Sequence, residues 1–252
     1  MNHRGRVFRF FLASTLSAIA VVAWFNISAT TTSSQPESTT ISSVIITTQV
    51  PKHAELSYAQ WDPVTASDSK NVEQARNVLT VELAKYPTGR LANAGLERIY
   101  LVKNLRWGGL TQSAMPEAFI DQALYLSIDT EYLQSENGVY YRHLIHHEAQ
   151  HLFDAHTYNT YRYNDTAWLS CNPGGFTYSG SGLAFNKTDQ NTRIEHPSTG
   201  FVTSYSVSAI EEDKAEVHAY LMTKPATINS YASQDQNLKC KEQLAQDFIS
   251  KL

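Results

Sequence analysis

His147-Glu148-Ala149-Gln150-His151 sets two imidazoles four residues apart, with a carboxylate beside the first. On an α-helix, positions 147 and 151 lie one above the other on one face. Two imidazoles so placed can hold one tetrahedral zinc ion. Glu148 stands close enough to take a proton from a metal-activated water without being a ligand itself. The hydroxide so formed would attack a polarised carbonyl, so the pattern points to metal-assisted hydrolysis.

The neighbouring histidines are placed differently. His143 is one helical turn before His147 and lies on nearly the same face, whereas His146 points elsewhere. His156 falls about 180° around the helix from His147 by simple rotation. A longer motif with a third histidine at 157 is excluded, because Thr157 stands there and Asp154 replaces the glycine it would need.

A third ligand is therefore expected from a later helix, as a carboxylate. Ser208-Ala209-Ile210-Glu211 has the form of a capping box, with Ser208 as N-cap and Glu211 folding back onto it. Glu212 is then left to point inward, and Glu216 follows one turn later on the same face. One of the two can ligate zinc while the other supports a ligand histidine, and periodicity does not separate them.

These side chains need elements to carry them. Apolar spacing predicts a helix over Ser69–Tyr86, ended by Pro87-Thr88-Gly89, and strands over Leu96–Leu105 and Ala123–Ile128. Asn137-Gly138 marks a turn, after which Val139–Ala155 reads as the motif helix. Residues 157–203 read as a long loop region rich in Gly, Tyr, Ser, Asn and Thr. A helix from about Ala209 to Thr223 is stopped by Pro225, and Gln236–Leu252 reads as a last amphipathic helix.

The chain has 252 residues, of which 42% are hydrophobic and 11% aromatic, enough for a buried core. The net charge of -4 lacks the basic footprint of a nucleic-acid binder. His3, Arg4, Arg6 and Arg9 precede an uncharged apolar run, Phe10–Ile27. Residues 1–29 thus read as an export signal cleaved after Ala29, or as an uncleaved membrane anchor. Residues 30–51, dominated by Ser and Thr, read as a linker, and 52–252 as the catalytic domain. Cys171 and Cys240 are either a disulfide or two separate buried thiols.

Beyond the motif, Phe201-Val202-Thr203-Ser204-Tyr205 followed by Glu211-Glu212-Asp213-Lys214-Ala215-Glu216 resembles gluzincins of the lethal-factor type. It is more similar still to a family of zinc-binding metallopeptidases found among secreted and surface proteins. Trp168–Tyr178 resembles the Trp…Pro…Phe-Tyr loop of that family. The resemblance spans roughly residues 90–225 and departs at Lys214, where an aromatic is usual, and at Cys171. It implies an α+β, zincin-like fold with a small twisted sheet packed on the motif helix. It also implies Glu212 as third zinc ligand, Glu216 as support for a ligand histidine, and Tyr205 as hydrogen-bond donor to the oxyanion. The expected activity is hydrolysis of protein or peptide substrates; the alternative is a zinc-binding surface protein of the same fold with little or no catalysis.

Overall fold

The computed structural model describes residues 38–134, 138–182, 184–185 and 194–252. The expected export signal or anchor, and Asn137 of the expected turn, lie outside the described residues. Among the described residues no helix is long and apolar enough to cross a membrane.

The sheet is mixed. Its main path runs β1 (Thr39–Ile41), β2 (Val44–Thr47), β4 (Arg98–Trp107), β7 (Ala123–Ser127) and β6 (Ala114–Glu117). β2, β4 and β7 are parallel, while β1 and β6 are antiparallel to their neighbours. β3 (Ala59–Asp62) and β5 (Leu110–Thr111) pair with the far half of β4. Period-two alternation divides two cores. Ile99, Leu101, Leu124 and Leu126 join the helix-side cluster, and Tyr100, Val102 and Tyr125 join the cluster on the other side with Leu56 and Met115. The two strands expected from sequence are β4 and β7. β6 is the edge strand of this path, and Pro116 is tolerated there because its missing N–H deprives no ladder of a bond.

The expected linker is shorter than its composition suggests. Residues 39–47 form a hairpin, with Ser42 and Ser43 left-handed at the turn (φ 49° and 71°). Val44 and Ile46 are fully buried, and β2 pairs with β4. β-branched Thr, Val and Ile suit a strand, so a segment polar in overall composition still extends the sheet.

The helix-side core is covered by α1 (Ser69–Leu83) and α4 (Val139–Tyr158), with short α2 (Arg90–Asn93) and α3 (Glu131–Gln134) at their ends. Beyond α4 lie α5 (Thr166–Ser170), capped by the Asp165 carboxylate, and α6 (Ile210–Thr223). α6 packs along α4. α7 (Pro225–Ala232) and α8 (Gln236–Lys251) close a separate core with Trp168, Val202 and Tyr220. Cys171, at the end of α5, and Cys240, in α8, are joined as a disulfide. The long loop region therefore contains a helix and is tied to α8 at Cys171 by a covalent bond.

A buried polar chain pins α4 to its neighbours. His146 Nε2 lies 2.7 Å from Glu82 on α1, and the Tyr86 hydroxyl lies 2.7 Å from both His146 Nδ1 and His218 Nε2 on α6. Burial keeps His218 neutral, its pKa well below the ordinary value. One proton arrangement satisfies the chain. His146 Nε2–H donates to Glu82, Tyr86 O–H donates to His146 Nδ1, and His218 Nε2–H donates to Tyr86. His218 Nδ1 is then a bare acceptor, which agrees with its having no hydrogen-bond partner.

Candidate metal centre

α4 turns Ile145, Ala149, Leu152 and Phe153 into the core beneath the sheet. The opposite stripe, His143, His147 and His151, faces α6. Helical spacing alone produces this division, since residues three and four apart share a face. α6 answers with Glu212 and Glu216, again one turn apart.

Three ligand atoms converge. His147 Nε2 lies 3.2 Å from Glu212 Oε2 and 3.2 Å from His151 Nε2, and His151 Nε2 lies 3.3 Å from Glu212 Oε2. A tetrahedral zinc with bonds of about 2.0–2.1 Å needs ligand atoms about 3.3–3.4 Å apart, or roughly 1.63 bond lengths. The donor set therefore fits zinc in chemistry and in size. Its electrostatics agree. Burial opposes charge on His147, yet its hydrogen bond to the Glu212 carboxylate and the nearby charge of Glu216 raise its pKa. Burial likewise opposes charge on Glu212, but His151 and His147 hold its carboxyl well below the ordinary range. Carboxylates that favour positive charge at a buried place are what a cation site requires.

Glu216 stands behind this set. It is fully buried, and its Oε1 lies 2.9 Å from His147 Nδ1, an ion-pair contact rather than an aligned hydrogen bond. The same oxygen lies 3.0 Å from His143 Nε2, and Thr203 Oγ1 donates to Oε2 over 2.8 Å. His143, His147 and Glu216 thus form a second group that could hold a metal ion. It differs from the first in setting. All three of its residues are buried, whereas His151 and Glu212 remain partly accessible at the wall of a cleft of about 920 Å³.

Glu148 lines that cleft beside His147 and His151. Tyr205 lines it too, its ring centroid 5.8 Å from that of His147. Gly182 lies against Tyr205 and Glu212. A Cβ built there would overlap Glu212 Oε1 and the Tyr205 hydroxyl, so only glycine admits the backbone of this segment. Neither Thr203 nor Gly182 is singled out by sequence reasoning. Thr203 lies within the stretch that carries the family resemblance, but its role depends on meeting a glutamate thirteen residues on.

One sequence expectation is corrected. Ser208 does not cap α6: its hydroxyl donates to the Tyr205 carbonyl over 2.7 Å. The N-cap is Ala209, with extended backbone and no side-chain cap, and Glu211 lines the cleft. Burial and the neighbouring Glu212 raise the Glu211 pKa. Glu212 points inward because α6 is docked on α4, not because a capping box occupies Glu211. His146 and His156 lie away from the site as expected, the first in its polar chain and the second exposed.

The two departures from the family pattern have structural partners. Lys214 Nζ donates to Asp154 over 2.8 Å and lies over the rings of Tyr158, Tyr163 and Trp168. Cys171 is one half of the disulfide.

Residues 124–251 match the model of a family described as putative zinc-binding metallo-peptidase. The chain belongs to that family. The match runs from β7 to the end of α8 and so includes both helices that carry the candidate metal ligands. Its mixed α+β architecture with a small open sheet is compatible with a zincin-like fold. No curated protein and no solved structure matches the chain.

Proposed function

We propose that this protein is an exported zinc-dependent peptidase, with His147, His151 and Glu212 as zinc ligands and Glu148 as general base. The observation that carries the reading is the triangle of His147 Nε2, His151 Nε2 and Glu212 Oε2. Its edges of 3.2–3.3 Å suit tetrahedral zinc, and it opens onto the cleft that Glu148 and Tyr205 also line. Three protein ligands with one open side are the pattern of a catalytic site rather than a structural one.

Bound there, zinc would supply a Lewis acid that acidifies water and polarises a carbonyl. The chain's own residues do the rest. Glu148 accepts the proton of the attacking water and passes it toward the departing amine. Tyr205 donates its phenolic hydrogen to the oxygen on which negative charge develops. Glu216 holds His147 by Nδ1, and so directs Nε2 into the cleft. His143 and Thr203 hold Glu216 in turn. Gly182 lets the segment bearing it lie beside Tyr205 and Glu212 without displacing either.

Export is supported by the basic and apolar N-terminal sequence and by the Cys171–Cys240 disulfide, a bond typical of oxidising compartments. The decisive experiment is metal analysis with cleavage of a peptide library by wild type and Glu148→Gln. We expect about one zinc per chain in both, with hydrolysis lost in the variant because an amide accepts no proton. Wild-type turnover in Glu148→Gln would remove Glu148 from the mechanism.

A further inference from the structure

β6 is the edge strand that borders the cleft: Ala114, Met115 and Pro116 line it together with His147, Glu148 and His151. Residues on an antiparallel strand turn their N–H and C=O groups alternately toward the partner and away from it. Ser127 N–H donates to Ser113 O over 2.9 Å, which marks Ser113 and Ser127 as a hydrogen-bonded pair. With Met115 opposite Tyr125 and Glu117 opposite Ala123, the odd-numbered residues face β7. Ala114, Pro116 and Ala118 therefore turn their main-chain polar groups outward.

An outward edge is a template for an added strand, the commonest way an extended peptide meets a sheet. Here the template is cut short. The Tyr161 hydroxyl accepts from Ala118 N–H over 2.7 Å and donates to Pro116 O over 3.1 Å. These are the two groups that the next residues of an added strand would use. Pro116 has no N–H to offer. The Tyr161 ring is braced edge-on against Phe119, with centroids 5.1 Å apart. Ala114 is left as the residue whose N–H and C=O both face the cleft.

We propose that Tyr161 is a specificity-determining residue that ends the peptide-binding edge after Ala114, so that substrates gain main-chain pairing toward one end only. The phenol mimics the backbone of a strand that is not there. A peptide pairs with Ala114 and must then leave the sheet at Tyr161. Residues beyond that point contribute no main-chain hydrogen bonds, and the enzyme accepts substrates with few residues on that side of the scissile bond.

The inference rests on the peptidase reading, and its test separates the two. A blocked peptide that the wild type cleaves is lengthened one residue at a time at each end, and kcat/KM is measured for wild type and Tyr161→Ala. The alanine removes both the hydroxyl and the ring that stands over the edge, at a position exposed on the surface. Wild type should gain from added residues at one end and level off at the other. Tyr161→Ala should gain at least about fivefold at the previously silent end, from one newly available pair of main-chain hydrogen bonds. Amide exchange in the peptide-free protein gives a second readout: the Ala118 N–H should exchange faster in Tyr161→Ala. Equal gains at both ends in wild type, or an identical ladder in the variant, would overturn the role of Tyr161 while leaving the peptidase intact. Absence of cleavage of any peptide by zinc-loaded wild type would instead overturn the proposed function, and this inference with it.

Discussion

Two carboxylates one turn apart on α6 face the same histidine, and zinc affinity distinguishes their roles. Glu212→Ala removes an oxygen that stands 3.2 and 3.3 Å from the two imidazole nitrogens. Structural zinc sites bind with about 10–16 kcal/mol over four ligands, so one ligand is worth roughly 3 kcal/mol, or more than about 100-fold in affinity. Glu216 is a different case. Truncating it to alanine would strand His143, Thr203 and His147 Nδ1 in a buried place, at about 1–3 kcal/mol each, and would confuse unfolding with metal loss. Glu216→Gln keeps the volume and one acceptor oxygen, and Thr203 can rotate its hydroxyl to accept from the new amide. What is lost is the charge behind His147, an effect of about 10–100-fold in affinity. Competition against a zinc chelator, with circular dichroism as a check on folding, should therefore rank Glu212→Ala as the weaker binder. His143→Ala should leave the cleft set intact and retain zinc to within about tenfold. If Glu216→Gln and His143→Ala lose zinc while Glu212→Ala keeps it, the metal sits in the buried His143–His147–Glu216 group and the cleft assignment falls.

Tyr205→Phe should lower kcat by about 10²–10³-fold with zinc content unchanged, as for loss of one oxyanion donor, and an unaltered rate would reduce Tyr205 to packing against His147. The Cys171–Cys240 bond closes a separation of 69 residues. On the loop-entropy relation that stabilises the fold by about 4 kcal/mol, so Cys171→Ser with Cys240→Ser should lower Tm by about 10 °C, and a shift of less than a few degrees would contradict it. Burial opposes charge on Glu82, but His146 and Lys85 hydrogen-bond its carboxylate and hold its pKa at about 2 instead of 4.5. Because the folded value is the lower one, this stabilisation is complete above pH 4.5 and disappears as pH falls toward 2, by roughly 3 kcal/mol in all. Chemical unfolding across that window should show the loss, and Glu82→Gln should flatten it.

Much of the scaffold is legible in local pattern. The helices at 69–83, 139–158, 210–223 and 236–251, and the strands β4 and β7, follow from apolar periodicity and from Pro and Gly at their ends. Strands β1, β2 and β6 do not. They are short, Ser/Thr-rich or interrupted by proline, and a strand of three or four residues is defined by the neighbour it pairs with rather than by its own composition. The expected capping box at Ser208 fails for a related reason. A side chain with a nearer acceptor, here the Tyr205 carbonyl, takes that bond instead of capping the helix.

The sequence by itself determined that His147 and His151 share a helix face with Glu148 beside them, because 3.6 residues per turn leaves no other arrangement. It also determined that Glu212 and Glu216 share a face of a second helix. Only the tertiary structure decided which nitrogen and which oxygen meet. The packing of α4 on α6 sets Nε2 of both histidines against Glu212 and Nδ1 of His147 against Glu216. The tertiary structure also brings Gly182 against the candidate ligand and Tyr161 against the strand edge. Helical periodicity assigns a direction around one axis, whereas a metal site and a substrate cleft need distances between axes, and those come from the packing of whole faces.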